Sequence, residues 1–176
     1  MDARRVVTGH REGKSVFVSD TAVAPITVGL MPGAEFHRLW GADATVSLPV
    51  AGGPQPDSAQ YFPPVGGFRF ALFTLPPATV APAGDIDIPA AIAETGEKLP
   101  GLLDAMERGH PGMHTTNTVD FDIVLSGEVW LELDDGAEIQ LRQGDSVVQN
   151  GTRHAWHNKS AEPCVLAVAI VGAERR

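Results

Sequence analysis

The side chains best suited to chemistry lie between Met113 and Asn158, where His114, Asp120 and His154 sit at the ends of short β-forming runs. A neutral imidazole offers a lone pair to a metal or takes up a proton, and a carboxylate does the same with a charge. His114 and His154 therefore read as metal ligands or acid-base groups. Asp120 lies in the apolar run Val119 to Leu125, where an unpartnered carboxylate is costly unless it meets a metal, a histidine or a donor. Positions 114, 116, 118 and 120 share parity, so an unbroken strand would turn His114, Thr116 and Asp120 to one face. Thr116 and Gln149 then read as hydrogen-bonding groups of a cavity. Arg153 reads either as a carboxylate clamp at its mouth or as an ordinary surface charge.

Other chemically tempting residues have plainer readings. His110 stands in a Gly-His-Pro-Gly turn and is expected in solvent, and His157 on an outer face. Glu35 and His37 share one side of a strand that a solvated surface explains. Trp130, Trp156 and Phe121 suit core, subunit contact or cavity wall alike. Asp134-Asp135-Gly136 is too short for a calcium loop and reads as a hairpin turn.

The elements that must position these groups are short strands. Turn signals at Ser126-Gly127, Asp134-Asp135-Gly136 and Gln143-Gly144-Asp145 divide runs at 113–118, 119–125, 128–133, 137–142, 146–149, 153–158 and 164–171. Strands at that spacing indicate a sandwich or barrel. Upstream, residues 4–75 hold strand-like runs at 4–8, 15–19, 34–40 and 68–75, the first two joined by a polar turn. Between Pro49 and Gly67, five prolines and four glycines exclude regular structure, leaving a long loop that covers a barrel mouth or a subunit contact. A helix is expected over 89–108, with Pro89 in its first turn, Ile92, Leu99, Leu102, Leu103 and Met106 as apolar anchors, and Pro100 splitting it. Residues 1–3 and 174–176 are expected to be loose.

At 176 residues the chain fits one domain, residues 1–176, able to bury roughly two-thirds of its unfolded surface. A net charge of -9 opposes attraction to nucleic acid or to an anionic membrane surface. The single cysteine, Cys164, cannot form an internal disulfide, and neither a signal-peptide core nor a long apolar run is seen. A cytoplasmic location is the expectation.

The spacing His114-x-Thr116 … Asp120 … Gly127, followed by Gly144 … Gln149-x-Gly151 … His154 … Asn158, resembles the paired motifs of the cupin superfamily over about the last third of the chain. In that pattern a second histidine stands at 116, a glutamate at 120 and a proline at 149, and the spacer before 149 is one residue longer. The resemblance implies an all-β, cupin-type jelly-roll barrel over residues 110–172, with the N-terminal strands and the helix packed outside it. It also implies a divalent metal, iron, manganese, zinc or nickel, on His114, Asp120 and His154, with Thr116, Arg153 or His110 orienting substrate and no organic cofactor. Two imidazoles and one carboxylate suffice for a non-haem iron site, although a threonine in place of histidine and the shorter aspartate weaken the set. The resulting expectation is a homodimeric enzyme of dioxygenase or lyase type acting on a small organic molecule. A metal-free dehydratase, isomerase or decarboxylase using histidine and aspartate stays open beside it. So does a cupin that only binds a small ligand.

Overall fold

The computed structural model describes residues 2–48, 58–80 and 84–176. Strands β1 (Ala3–Arg11) and β2 (Lys14–Val23) pair as an antiparallel hairpin. Strands β3 (Glu35–Ala42) and β4 (Phe68–Leu75) come next, then helix α1 (Ile88–Lys98). The remaining strands are β5 (Thr118–Ser126), β6 (Glu128–Glu132), β7 (Glu138–Arg142), β8 (Ser146–Gln149), β9 (Ala155–His157) and β10 (Cys164–Gly172).

A five-stranded sheet, ordered β3-β4-β10-β5-β8, packs on a three-stranded sheet ordered β7-β6-β9, with all neighbours antiparallel. This is a jelly-roll barrel with the N-terminal hairpin outside it, the all-β architecture that the turn rhythm implied. Strand alternation builds its core: Val124, Leu166 and Cys164 from the larger sheet meet Val129, Leu131 and Leu141 from the smaller. Each such buried side chain contributes about 1.5–3 kcal/mol, which holds the two sheets together.

A second apolar cluster closes one end of the barrel. Val28, Ala34 and Phe36 pack with Leu99 and Leu102, and Tyr61, Phe62, Phe73 and Met106 lean on them. Helix α1 starts where Asp87 caps the Ala90 N–H at 3.1 Å, with a proline in the first turn. It ends at Lys98, because Pro100 cannot continue it, and a single 3-10 turn at Leu103–Ala105 follows. The helix is thus shorter than the apolar pattern suggested. Ile92, expected as an anchor, is exposed, while Ala91 and Thr95 face inward.

Three further expectations change. The run 113–118 forms no strand; His114 makes only isolated bridges to Met106 and His154, so parity does not carry from Asp120 back to His114. His37 is 0% exposed instead of solvated, on the same side of the sheet as Leu72, where the base of the hairpin packs through Ala3. The C-terminal residues are tied down: Arg175 donates to Asn117 Oδ1 at 2.7 Å and to the Thr116 and Gly151 carbonyls at 2.8 Å. Of the Pro/Gly-rich segment, 49–57 lie outside the described residues, and 58–67 hold neither helix nor strand.

Two motif residues are structural. Asn158 donates to the Leu75 and Glu162 carbonyls at 3.0 and 2.7 Å, tying the turn before β10 to β4. Gly127 joins β5 to β6 at φ +74°, and a Cβ there would stand 2.6 Å from the Pro163 carbonyl oxygen. Gly136 has a similar φ, +72°, with nothing within 4 Å of its Cβ position. Both Gly→Ala changes should therefore cost the left-handed penalty of about 1–2 kcal/mol, and Gly127→Ala clearly more. Urea unfolding of the two variants checks this; equal losses would refute the backbone contact.

Candidate functional site

The site begins with a backbone pairing. The His114 N–H donates to the His154 carbonyl at 2.9 Å and the His154 N–H to the His114 carbonyl at 3.0 Å. In such a pair the two side chains leave on the same side, and the ring centroids stand 4.1 Å apart. Each ring is oriented in the same way. His114 Nδ1 lies 2.9 Å from the Gly112 carbonyl oxygen, and His154 Nδ1 lies 2.9 Å from that of Thr152. A carbonyl can only accept, so Nδ1 carries the proton in both rings and each Nε2 keeps its lone pair. Burial holds the His114 imidazole below its ordinary value; burial and the neighbouring His114 push His154 down to about 4. Both are neutral at pH 7.

Alternation on β5 supplies the second polar group. Thr118, Asp120, Asp122 and Val124 are its buried positions, and the carboxyls of Asp120 and Asp122 line the same cavity as the two histidines. Asp120 bonds to the Thr118 hydroxyl, yet its Oδ1 is buried without a partner. Asp122 makes no side-chain hydrogen bond to another described residue, and its cross-strand neighbours Val168 and Val147 are apolar. Burial raises Asp120 to about 6, and burial together with Asp120 raises Asp122 to about 7.

The cavity measures about 530 Å³. Its walls are mainly apolar, among them Phe36, Phe73, Leu102, Met106, Trp156 and Leu166. Tyr61 also lines it, and burial, then Asp120, raises the pKa of its hydroxyl. Two arginines hold the loop that carries Tyr61. Arg69, 4% exposed, donates to the carbonyls of Gln60 and Ala42 at 2.9 Å, and Arg38 donates to those of Ser58 and Gln60 at 3.0 and 3.2 Å.

Not every expected residue joins the site. Thr116 is buried, but its hydroxyl bonds to that of Thr118 at 2.7 Å and it does not line the cavity. Arg153 is no open clamp, because its guanidinium is held by Glu107 at 2.7 and 2.8 Å and by Asp134 at 3.0 Å. His110 is exposed. Gln149 accepts from Thr152 at 2.7 Å while its Nε2 is buried without a partner. Sequence reading missed Asp122, Glu107 and Tyr61. Two-residue periodicity from Asp120 would have found Asp122; Tyr61 lies in a segment without periodicity and carries no such signal.

The donor set can be tested against a metal. The His114 and His154 Nε2 atoms are suitable ligands. Among the described residues, however, Glu132, Glu138 and His157 are the one set of three ligand groups whose atoms lie within 4.8 Å of one another, and they sit on β6, β7 and β9 outside the cavity. As placed, His114, Asp120 and His154 do not bring their ligand atoms within that distance of one another.

The cupin domain profile matches residues 103–171, and the chain belongs to the cupin superfamily. It is 31% identical over 160 residues to phomopsin biosynthesis cluster protein D of Diaporthe leptostromiformis, covering 89% of this chain and 70% of that one. Protein C' of the same cluster is 37% identical over 75 residues, 43% of this chain and 40% of its own length. A cupin-domain-containing oxidoreductase of Hypocrea virens, virC, is 46% identical over 46 residues, 26% of this chain and 24% of that one. The matches to these last two proteins thus span less than half of their length.

The carboxyl pair has a consequence for stability. A carboxyl whose folded pKa lies above its unfolded value, near 3.9, binds its proton more tightly in the folded chain. Its contribution is complete below pH 3.9 and is lost as pH rises through about 6 to 7. His154 acts in the opposite sense: its contribution is present above its unfolded value and falls away as pH drops through about 4. Comparing wild type with Asp122→Asn cancels the histidine part. The melting temperature of the wild type relative to the variant should fall steadily between about pH 4 and 7. A difference that stays flat across that range would mean that Asp122 is not held in a low-dielectric setting.

Proposed function

We propose that this cavity is the active site of an enzyme that moves protons on a small, largely apolar organic substrate, as a dehydratase, isomerase or decarboxylase does. The observation that carries the reading is the histidine pair: two rings 4.1 Å apart, each with Nδ1 committed to a carbonyl and its Nε2 lone pair free, in one cavity with Asp120 and Asp122. A substrate between these groups has a base on one side and a carboxyl on the other. Imidazole Nε2 of His114 takes a proton from the substrate, and Asp120, when it carries the proton of the carboxyl pair, returns one elsewhere on it. Transfers of this kind contribute typically 10²–10⁴-fold in rate. Apolar walls keep water from competing, and the Arg38 and Arg69 anchors hold Tyr61 in place. The ion pair of Arg153 with Glu107 fixes the segment preceding His154.

Iron, manganese, zinc or nickel on His114 and His154 is the second reading, favoured by their free Nε2 lone pairs and by relatives named as oxidoreductases. It requires a third ligand that Asp120 does not supply as placed. A cavity that only binds a ligand is the remaining outcome. Deuterium incorporation from D2O into a panel of apolar keto and hydroxy compounds, with and without an amino group, separates the three. Exchange is expected to survive dialysis against chelator and to drop by about 10²-fold or more in His114→Ala and in His154→Ala, each still melting cooperatively. Exchange lost with chelator and restored by a metal would replace this reading with the second; no exchange on any compound would leave binding alone.

The same reading includes a homodimer in a reducing, cytoplasmic setting. Cys164, 0% exposed with its thiol pushed up to about 11 by burial, suits a resting thiol. On the outer side of the larger sheet, Phe70, Ala169, Phe121 and Val148 form one register row, and Phe70, Phe121 and Val148 are exposed together with Ile123. Four strands at that spacing present roughly 300–400 Å². A stable interface takes about 800 Å² per partner, so the half-exposed β1–β2 hairpin beside this face would supply the rest. Phe121→Glu should convert the dimer to a monomer in sedimentation velocity without loss of melting temperature. A wild type that sediments as a monomer would remove the dimer from the reading.

A further inference from the structure

We infer that the cavity takes an organic cation, a primary or secondary amine carried on an apolar body, with Asp122 as its anchor. The inference rests on the reading of the cavity as the active site and names the substrate class. Acceptors outnumber donors around the cavity. The two imidazoles present Nε2 lone pairs, because both Nδ1 protons are spent on carbonyls. Asp120 and Asp122 add carboxyl oxygens, and Glu107 is already taken by Arg153. Against these acceptors stand the Tyr61 hydroxyl and the Trp156 indole as side-chain donors. No lysine or arginine is among the described residues that line the cavity. Arg38 and Arg69, the nearby candidates, have donors committed to backbone carbonyls.

A carboxylate or phosphate entering this space would meet further acceptors and no countercharge. An ammonium group reverses every term: it brings donors to groups that lack them and a positive charge to a carboxyl pair. Asp120 is 7% and Asp122 5% exposed, so water reaches neither freely, and the Asp120 Oδ1 has no partner at all. Buried polar atoms left in this state are costly unless something satisfies them. Asp122 is the better anchor, since Asp120 already holds the Thr118 hydroxyl and Asp122 has no such partner. The rest of the cavity, about 530 Å³ with Phe, Leu and Met walls, fits an aromatic or branched body on that amine.

Titration calorimetry with 4-phenylbutylamine, 4-phenylbutanol and 4-phenylbutanoate near neutral pH tests this, because the three probes share one apolar body. The amine should bind at least about tenfold more tightly than the alcohol, and the carboxylate most weakly, a step worth about 1.4 kcal/mol per tenfold. Asp122→Asn, checked for a cooperative melt, should bring amine and alcohol to within about threefold of each other. If that variant does not fold, Asp120→Asn serves as the second variant, with a smaller loss of preference expected. Equal affinities, a preference for the carboxylate, no binding of any probe up to millimolar concentration, or an amine preference that survives in Asp122→Asn would each overturn the inference. Calorimetry reads no turnover. Deuterium exchange without amine preference therefore refutes this inference alone, and amine preference without exchange refutes the proton-transfer reading alone.

Discussion

The physical constraint on which this molecule turns is the placing of two carboxyls at successive inward positions of β5, where neither has a full set of hydrogen-bond partners. Asp120 and Asp122 face a space walled by Phe36, Phe73, Leu166, Val168 and Ile170. Removing a charge from water into such surroundings costs several kcal/mol, and doing it twice side by side adds mutual repulsion. Burial shifts both carboxyls toward the protonated form, Asp120 to about 6 and Asp122 to about 7. Two residues further along the same strand, Val124 enters an apolar core packed between the two sheets. One strand thus joins the apolar core to the buried carboxyl pair of the cavity.

The histidine end is built by a different device. Here the backbone bridge between His114 and His154 sets the rings side by side, and two carbonyls, each two residues before its histidine, choose the tautomer. No side-chain ligand is needed to orient either ring. The surrounding charges are disposed of locally: Arg153 is consumed by Glu107 and Asp134, and Arg38 and Arg69 are consumed by the 58–62 loop. What faces the cavity is therefore rich in acceptors and poor in cations, although nearby arginines exist. Their donors hold the walls instead of facing the cavity.

Glu132, Glu138 and His157 show how similar residue types do different work outside the barrel. His157 Nε2 lies 2.6 Å from Glu132, and Lys159 bridges both oxygens of Glu138 at 2.7 and 2.6 Å. Lys159 also sits 6.0 Å from the centre of the Trp130 ring. These contacts pair charges across β6, β7 and β9, so a cross-strand ion-pair network accounts for the cluster. The contrast with the cavity is solvent: outside, each carboxylate has a cationic or imidazole partner and water; inside, it has neither in full.

Much of the barrel was legible in the sequence because strand alternation and turn residues are local. The glycines at 127 and 144, the Asp-Asp-Gly turn and the apolar run 164–171 each specify backbone over a few residues, and the strands fall between them. Candidate groups that lie on or pair with that frame, His114, Asp120 and His154, could be singled out the same way. Asp122 was equally legible by parity. What the tertiary structure alone decided was company: that Asp120 keeps Asp122 and Tyr61 beside it, that Arg153 is spent on Glu107, and that His37 is fully buried. These are contacts between residues far apart in the chain, fixed by the packing of sheets and loops, and local sequence carries no measure of that distance.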